Sequence, residues 1–131
     1  MLPITSVFAA LLTLYFLRLA MAVIRLRRSN KVALGDGGVK ELEGAIRAHG
    51  NFAEYVPFGL ILMGLLEANG GYPLLIVALG CTLTVGRILQ ATALGKGNLK
   101  LRVTGMKMTV LTLVALSVTN LIYVAIFLLR G

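Results

Sequence analysis

Pro3 to Ile24, Leu74 to Leu94 and Leu101 to Leu129 are apolar runs long enough to cross a hydrocarbon layer of about 30 Å as helices. A fourth, Leu60 to Leu66, continues a stretch whose other end is polar. With 131 residues, 58% of them hydrophobic and a mean hydropathy of +0.90, the chain has more apolar surface than a soluble domain of its size could hide. In lipid the backbone must satisfy its own hydrogen bonds, which leaves helices or a closed barrel. Runs of this length select the helix. The expected fold is an all-α integral membrane protein, a four-transmembrane-helix bundle in a single domain over residues 1–131. Its helices are expected at about 3–28, 40–68, 73–94 and 101–129.

The breaks are legible. Gly35-Asp36-Gly37-Gly38 interrupts the chain after the first helix, Asn69-Gly70-Gly71-Tyr72-Pro73 after the second, and Gly95 to Lys100 after the third. Ala20-Met21-Ala22 resembles a signal-peptide cleavage site. However, no basic residue precedes the first run, and Arg25-Leu26-Arg27-Arg28 follows it, the charge order of a retained helix. Basic residues flank the first loop (Arg25, Arg27, Arg28, Lys31, Lys40, Arg47) and the third (Arg87, Lys96, Lys100, Arg102, Lys107), while the middle connection has Glu67 and none. The positive-inside rule then puts both loops in the cytoplasm and both termini outside. The net charge of +8 points to anionic lipid or an anionic substrate rather than nucleic acid, because the cations border apolar runs. Cys81 lies inside an apolar run as a small hydrophobe, and no metal-ligand spacing surrounds it.

The chemistry gathers in Arg47 to Pro57, Arg-Ala-His-Gly-Asn-Phe-Ala-Glu-Tyr-Val-Pro. At about 100° per residue, Glu43, Arg47, Asn51 and Glu54 share a sector about 80° wide. Such a stripe should face partner helices or a hydrated cavity, as a functional site or as an ion-pair network locking helices together. Pro57 is expected to bend the helix just past it. Arg87 needs a partner at membrane depth, and Glu54 is the acid available. Arginines converging with Asn51 and Glu54 suit a small ligand bearing carboxylates and an amino group. His49 points off the stripe, which favours packing over catalysis, and Tyr55 suits interface packing or ligand contact.

These residues carry a resemblance. Glu43-x3-Arg47-Ala48-His49-x-Asn51-x2-Glu54-Tyr55-x-Pro57 resembles the second-helix signature of the MAPEG family, the membrane-associated proteins in eicosanoid and glutathione metabolism. Arg25-Leu26-Arg27-Arg28, Arg87 and Arg102 match further features, so that the likeness covers almost the whole chain, and the short loops resemble a bacterial-type member. The resemblance implies a four-helix subunit forming a homotrimer, with glutathione as co-substrate bound between subunits near the cytoplasmic face of a bacterial inner membrane. It makes Arg25, Arg47, Asn51, Glu54 and Tyr55 glutathione contacts, pairs Arg87 with Glu54, and makes Arg102 the catalytic group holding the thiol as thiolate. Gln90, counted with the glutathione site, stands where relatives often carry His or Tyr, and Leu94 where some carry a ligand-binding Tyr. Val103 and Gly50 replace a Ser and an Arg of the prostaglandin-forming branch. These departures argue against prostaglandin or leukotriene synthesis.

The function implied is a glutathione-dependent transferase or peroxidase acting on lipophilic electrophiles or lipid hydroperoxides. The alternative is a non-catalytic lipid-binding or interaction module on the same scaffold, which Gln90 and Leu94 favour. A small four-helix drug exporter is set aside, since helix one carries Arg18 and no carboxylate.

Overall fold

Loop chemistry starts and stops each element of the computed structural model, which describes residues 1–130. Helix α1, Pro3–Asn30, opens on a proline, whose missing N–H costs nothing in a first turn. It ends at Lys31, which takes a left-handed conformation (φ 54°) so that its N–H reaches back to the last turn. The Arg27 guanidinium then donates to the carbonyls of Ala33 at 3.2 Å and Gly35 at 2.9 Å, fastening the glycine-rich loop to the helix end. Helix α2 covers Lys40–Ala68 and runs through Pro57 without interruption. Helix α3, Pro73–Lys96, again opens on proline and stops at Gly97 (φ 65°). Helix α4, Leu99–Arg130, begins two residues before the expected start. The Asn98 side chain accepts from the Leu101 N–H at 3.1 Å and so caps its first turn.

The described residues form four helices, of which α1, α3 and α4 are long and apolar enough to cross a membrane. Helix α2 is of similar length but carries its polar stripe through the first half, which leaves it short of the same criterion.

Helices α2 and α3 form the middle of the bundle. Helix α1 packs on both from one side and α4 from the other, and α1 does not touch α4 among the described residues. Leu12, Phe52, Val56 and Leu83 make one core cluster, and Met63, Leu66, Ile76 and Leu116 a second further along. The α3–α4 contact is the tightest. A Cβ placed on Gly105 would lie 2.6 Å from the Gly86 carbonyl oxygen, so two glycines let the backbones meet. The outward faces are apolar, with Leu11, Leu14, Leu17 and Met21 on α1 and Leu111, Val114, Val118 and Leu121 on α4 exposed, as lipid-facing surfaces require.

Polar contacts stitch the end away from the basic loops. The Glu67 carboxylate, at the end of α2, accepts the backbone N–H groups of Ile4 at 2.9 Å and Thr5 at 2.8 Å. These are unsatisfied donors of α1, whose own preceding residue Leu2 offers no cap, and the negative charge complements the helix dipole. Nearby, the Asn120 amide of α4 donates to the Leu62 carbonyl of α2 at 3.0 Å, and the Tyr72 N–H donates to the Tyr123 hydroxyl at 3.2 Å.

Candidate functional site

The expected site residues divide into three groups. The first lies inside the bundle. Arg87, on α3, is 2% exposed although it carries a full charge. Its Nε donates to the Thr109 hydroxyl at 2.9 Å, and one terminal nitrogen donates to the Asn51 backbone carbonyl at 3.2 Å. The other terminal nitrogen lies 3.7 Å from the Met106 sulfur. The Tyr55 ring sits beneath the guanidinium, 5.2 Å from ring centroid to Cζ, a cation–π arrangement. The Thr109 hydroxyl, which accepts from Arg87, donates in turn to the Gly105 carbonyl at 2.9 Å. One side chain therefore ties α3 to α2 and α4 together. Gln90, one turn on and also buried, points its amide nitrogen at the same Met106 sulfur at 3.8 Å.

Arg87 does not pair with Glu54. Glu54 is exposed on α2, and no carboxylate is within ion-pair distance of Arg87 among the described residues. At one helical turn's spacing, Asn51 presents its backbone carbonyl inward while Glu54 turns outward. Neutral dipoles and a π face replace the expected carboxylate.

The second group forms an open cleft of about 620 Å³ at the polar end of α2, lined by Lys40, Glu41, Glu43, Gly44, Arg47, Leu94, Gly95, Gly97 and Arg102. Arg47 and Arg102 come together here from α2 and the first turn of α4. Two local devices put them in reach. The left-handed Gly97 and the Asn98 cap reverse the chain so that Arg102 faces back toward α2. A close approach of α2 to α3 does the rest, a Cβ on Gly44 falling 3.1 Å from the Leu94 carbonyl. The lining mixes cations from Lys40, Arg47 and Arg102 with carboxylates from Glu41 and Glu43, a pattern matched to a zwitterionic ligand.

The third group is neither buried nor in the cleft. Arg25 and Glu54 are exposed on the flanks of α1 and α2, and both are available to something outside this subunit. His49 stacks on Phe16, with centroids 4.6 Å apart and planes 26° apart, and Phe52 packs on both Phe16 and Tyr15. That is a packing role. Arg18 is exposed and lies over the Tyr15 ring at 5.6 Å. Sequence reasoning missed Thr109 and Met106 as partners of Arg87. Their signal was faint, a hydroxyl and a thioether one turn apart on α4 opposite an unpaired arginine.

Comparison with known proteins bears on the family. A profile of the MAPEG family matches residues 5–122. Two Escherichia coli proteins, from strain K12 and from strain O6:H1 CFT073, are each named inner membrane protein YecN. Each is 34% identical to this chain over 120 residues, covering 92% of both chains.

Proposed function

This chain belongs to the MAPEG family, and on that footing we propose that it is a membrane glutathione-dependent transferase or peroxidase acting on lipophilic electrophiles or lipid hydroperoxides. The observation that carries the reading is the shared cleft of Arg47 and Arg102 beside Glu41 and Glu43. Glutathione has two carboxylates and one ammonium, and the cleft offers guanidinium forks for the first and carboxylates for the second.

The chemistry required of the protein is modest. A free thiol ionises near pH 8.5, so that only a small fraction is thiolate at neutral pH. A guanidinium held beside it favours the anion and cannot lose its own charge at any working pH. Arg102 is assigned that role, and the thiolate attacks an electrophile arriving from the bilayer. Arg25 and Glu54 complete the ligand site from the subunit boundary, in a homotrimer with its sites between subunits near the cytoplasmic face of a bacterial inner membrane. Asn51 and Tyr55, half-buried beside Arg87, are assigned to the ligand through whatever part of them stays open at that boundary. Arg87 and Gln90 are buried, and they act from behind by fixing α2 against α3 and α4 rather than by touching the ligand.

A second reading, a non-catalytic lipid-binding or interaction module, is favoured by Leu94, which gives the cleft an apolar wall, and by Gln90, whose amide nitrogen is turned into the bundle. Thiolate absorbance of the detergent-solubilised protein, titrated with pH at saturating glutathione, separates the two. The enzyme reading expects a lowered thiol pKa in the parent and a return toward the free value in Arg102→Ala, with only modest loss of binding. Superimposable titrations would remove Arg102 from the chemistry and favour the second reading.

A further inference from the structure

Met106 is mismatched to the groups it serves. Its sulfur faces a terminal nitrogen of Arg87 at 3.7 Å and the Gln90 amide nitrogen at 3.8 Å. A thioether is a weak acceptor. A guanidinium 2% exposed and an amide 4% exposed are the donors that gain most from a strong one. Arg87 and Gln90 stand one turn apart on α3 and reach across beside the Gly86–Gly105 contact. On its other side Met106 lines a hollow of about 450 Å³ with Val103, Lys107, Val110 and Leu111, on the exposed apolar face of α4. The same side chain thus meets two buried donors inward and an opening to lipid outward.

We propose that Met106 is an oxidation site whose sulfoxide oxygen is received by Arg87 and Gln90, the oxidant being a hydroperoxide dissolved in the bilayer. In the step, a sulfur lone pair attacks the distal hydroperoxide oxygen. The S–O bond forms and the O–O bond breaks. Sulfur gives up two electrons to the peroxide, and the hydroperoxide proton ends on the leaving oxygen as an alcohol. Lys107, in the same hollow, supplies a cation to the oxygen that leaves. The unbranched side chain then turns its new oxygen inward, a motion its rotatable bonds permit. Two weak contacts become strong hydrogen bonds, one of them charge-assisted. Methionine oxidation in a packed interior ordinarily loosens it. Here it tightens α3 against α4. The inference does not rest on the glutathione reading, since any membrane-soluble hydroperoxide suffices.

The test treats the protein in lipid nanodiscs with cumene hydroperoxide, locates sulfoxides by peptide mass spectrometry, and follows the thermal midpoint beside an equally treated Met106→Leu. Met21, exposed on α1, and Met108, partly buried on α4, are internal references for reactivity. Met106 is expected to be oxidised, and the treated parent to melt about 4 °C above its untreated form, a rise absent from Met106→Leu and lost in Gln90→Leu. The proposal is overturned if Met21 and Met108 are oxidised while Met106 stays reduced, if the treated parent melts no higher than before, or if Gln90→Leu keeps the full gain. Should Gln90→Leu fail to insert, the comparison of parent with Met106→Leu decides alone.

Discussion

At the residue scale, the exchange of partners at Arg87 reverses an expectation about which charge the fold depends on. The pattern of the sequence ties Glu54 and Arg87 together, which would make Glu54→Gln strongly destabilising. With Glu54 exposed and Arg87 held by Thr109, the Asn51 carbonyl and Tyr55, the cost moves to the other side. Arg87→Leu removes the two hydrogen bonds that its guanidinium donates to the Thr109 hydroxyl and the Asn51 carbonyl, each worth about 1.5–3 kcal/mol with a charged donor. Glu54→Gln, a surface change within the subunit, should stay within about 0.5 kcal/mol. Thermal melting of the two variants in one detergent checks the order; equal losses would mean that Glu54 supports the fold through a contact outside the subunit. The lesson for reading sequences is specific. A lone arginine in an apolar run announces a need, but carbonyls, hydroxyls and ring faces meet it as well as carboxylates do. None of these is legible as a partner before the helices are placed.

At the element scale, the four helices were legible, because apolar length and the Gly, Pro and Asn breakers act locally. The ends were less so. The start of α4 depends on Asn98 acting as a cap, which looks like one more loop residue until the Leu101 N–H is seen to donate to it. Asn98→Ala should cost about 1 kcal/mol and speed amide exchange in the turn that presents Arg102, which hydrogen–deuterium exchange would register at Leu101. The crossing of α3 and α4 is set by close approach. Gly105→Ala would place a methyl group 2.6 Å from the Gly86 oxygen and 2.8 Å from the Gln90 nitrogen. Both are backbone atoms and cannot rotate away, so that the helices must part. A loss of about 1–3 kcal/mol is expected, together with weaker glutathione binding, because Arg102 rides on the displaced helix. Unchanged melting would show that the two helices separate freely at this point. Glycines in an apolar run read as small residues in the sequence; which of them face each other is a property of the packed pair.

At the scale of the whole molecule, the residues expected to form one site divide between a buried tether, a cleft and an outer flank. Asn51, Tyr55, Arg87 and Gln90 belong to the first, Arg47 and Arg102 to the second, and Arg25 and Glu54 to the third. The proposed assembly, with ligand sites between subunits, would give the charged groups on that flank a partner. Native mass spectrometry of the solubilised protein is expected to give a trimer, and only monomers or dimers would oppose it. The Glu67 clasp has a mechanical consequence. The clasp and the cleft stand at opposite ends of α2, about 30–40 Å apart at 1.5 Å per residue. The carboxylate pins the start of α1 to the finish of α2, and at the other end a glycine loop, tied to α1 by Arg27, joins the two helices. Two rods pinned at one end and tied by a loop at the other form a closed frame, so that a load released at one fastening is passed along both rods to the other. Glu67→Gln, which removes the charge but keeps an acceptor, should therefore slacken the frame as well as the pin, with faster amide exchange at Lys40 to Gly44, the α2 wall of the cleft, as the distant sign of a change made at the far fastening.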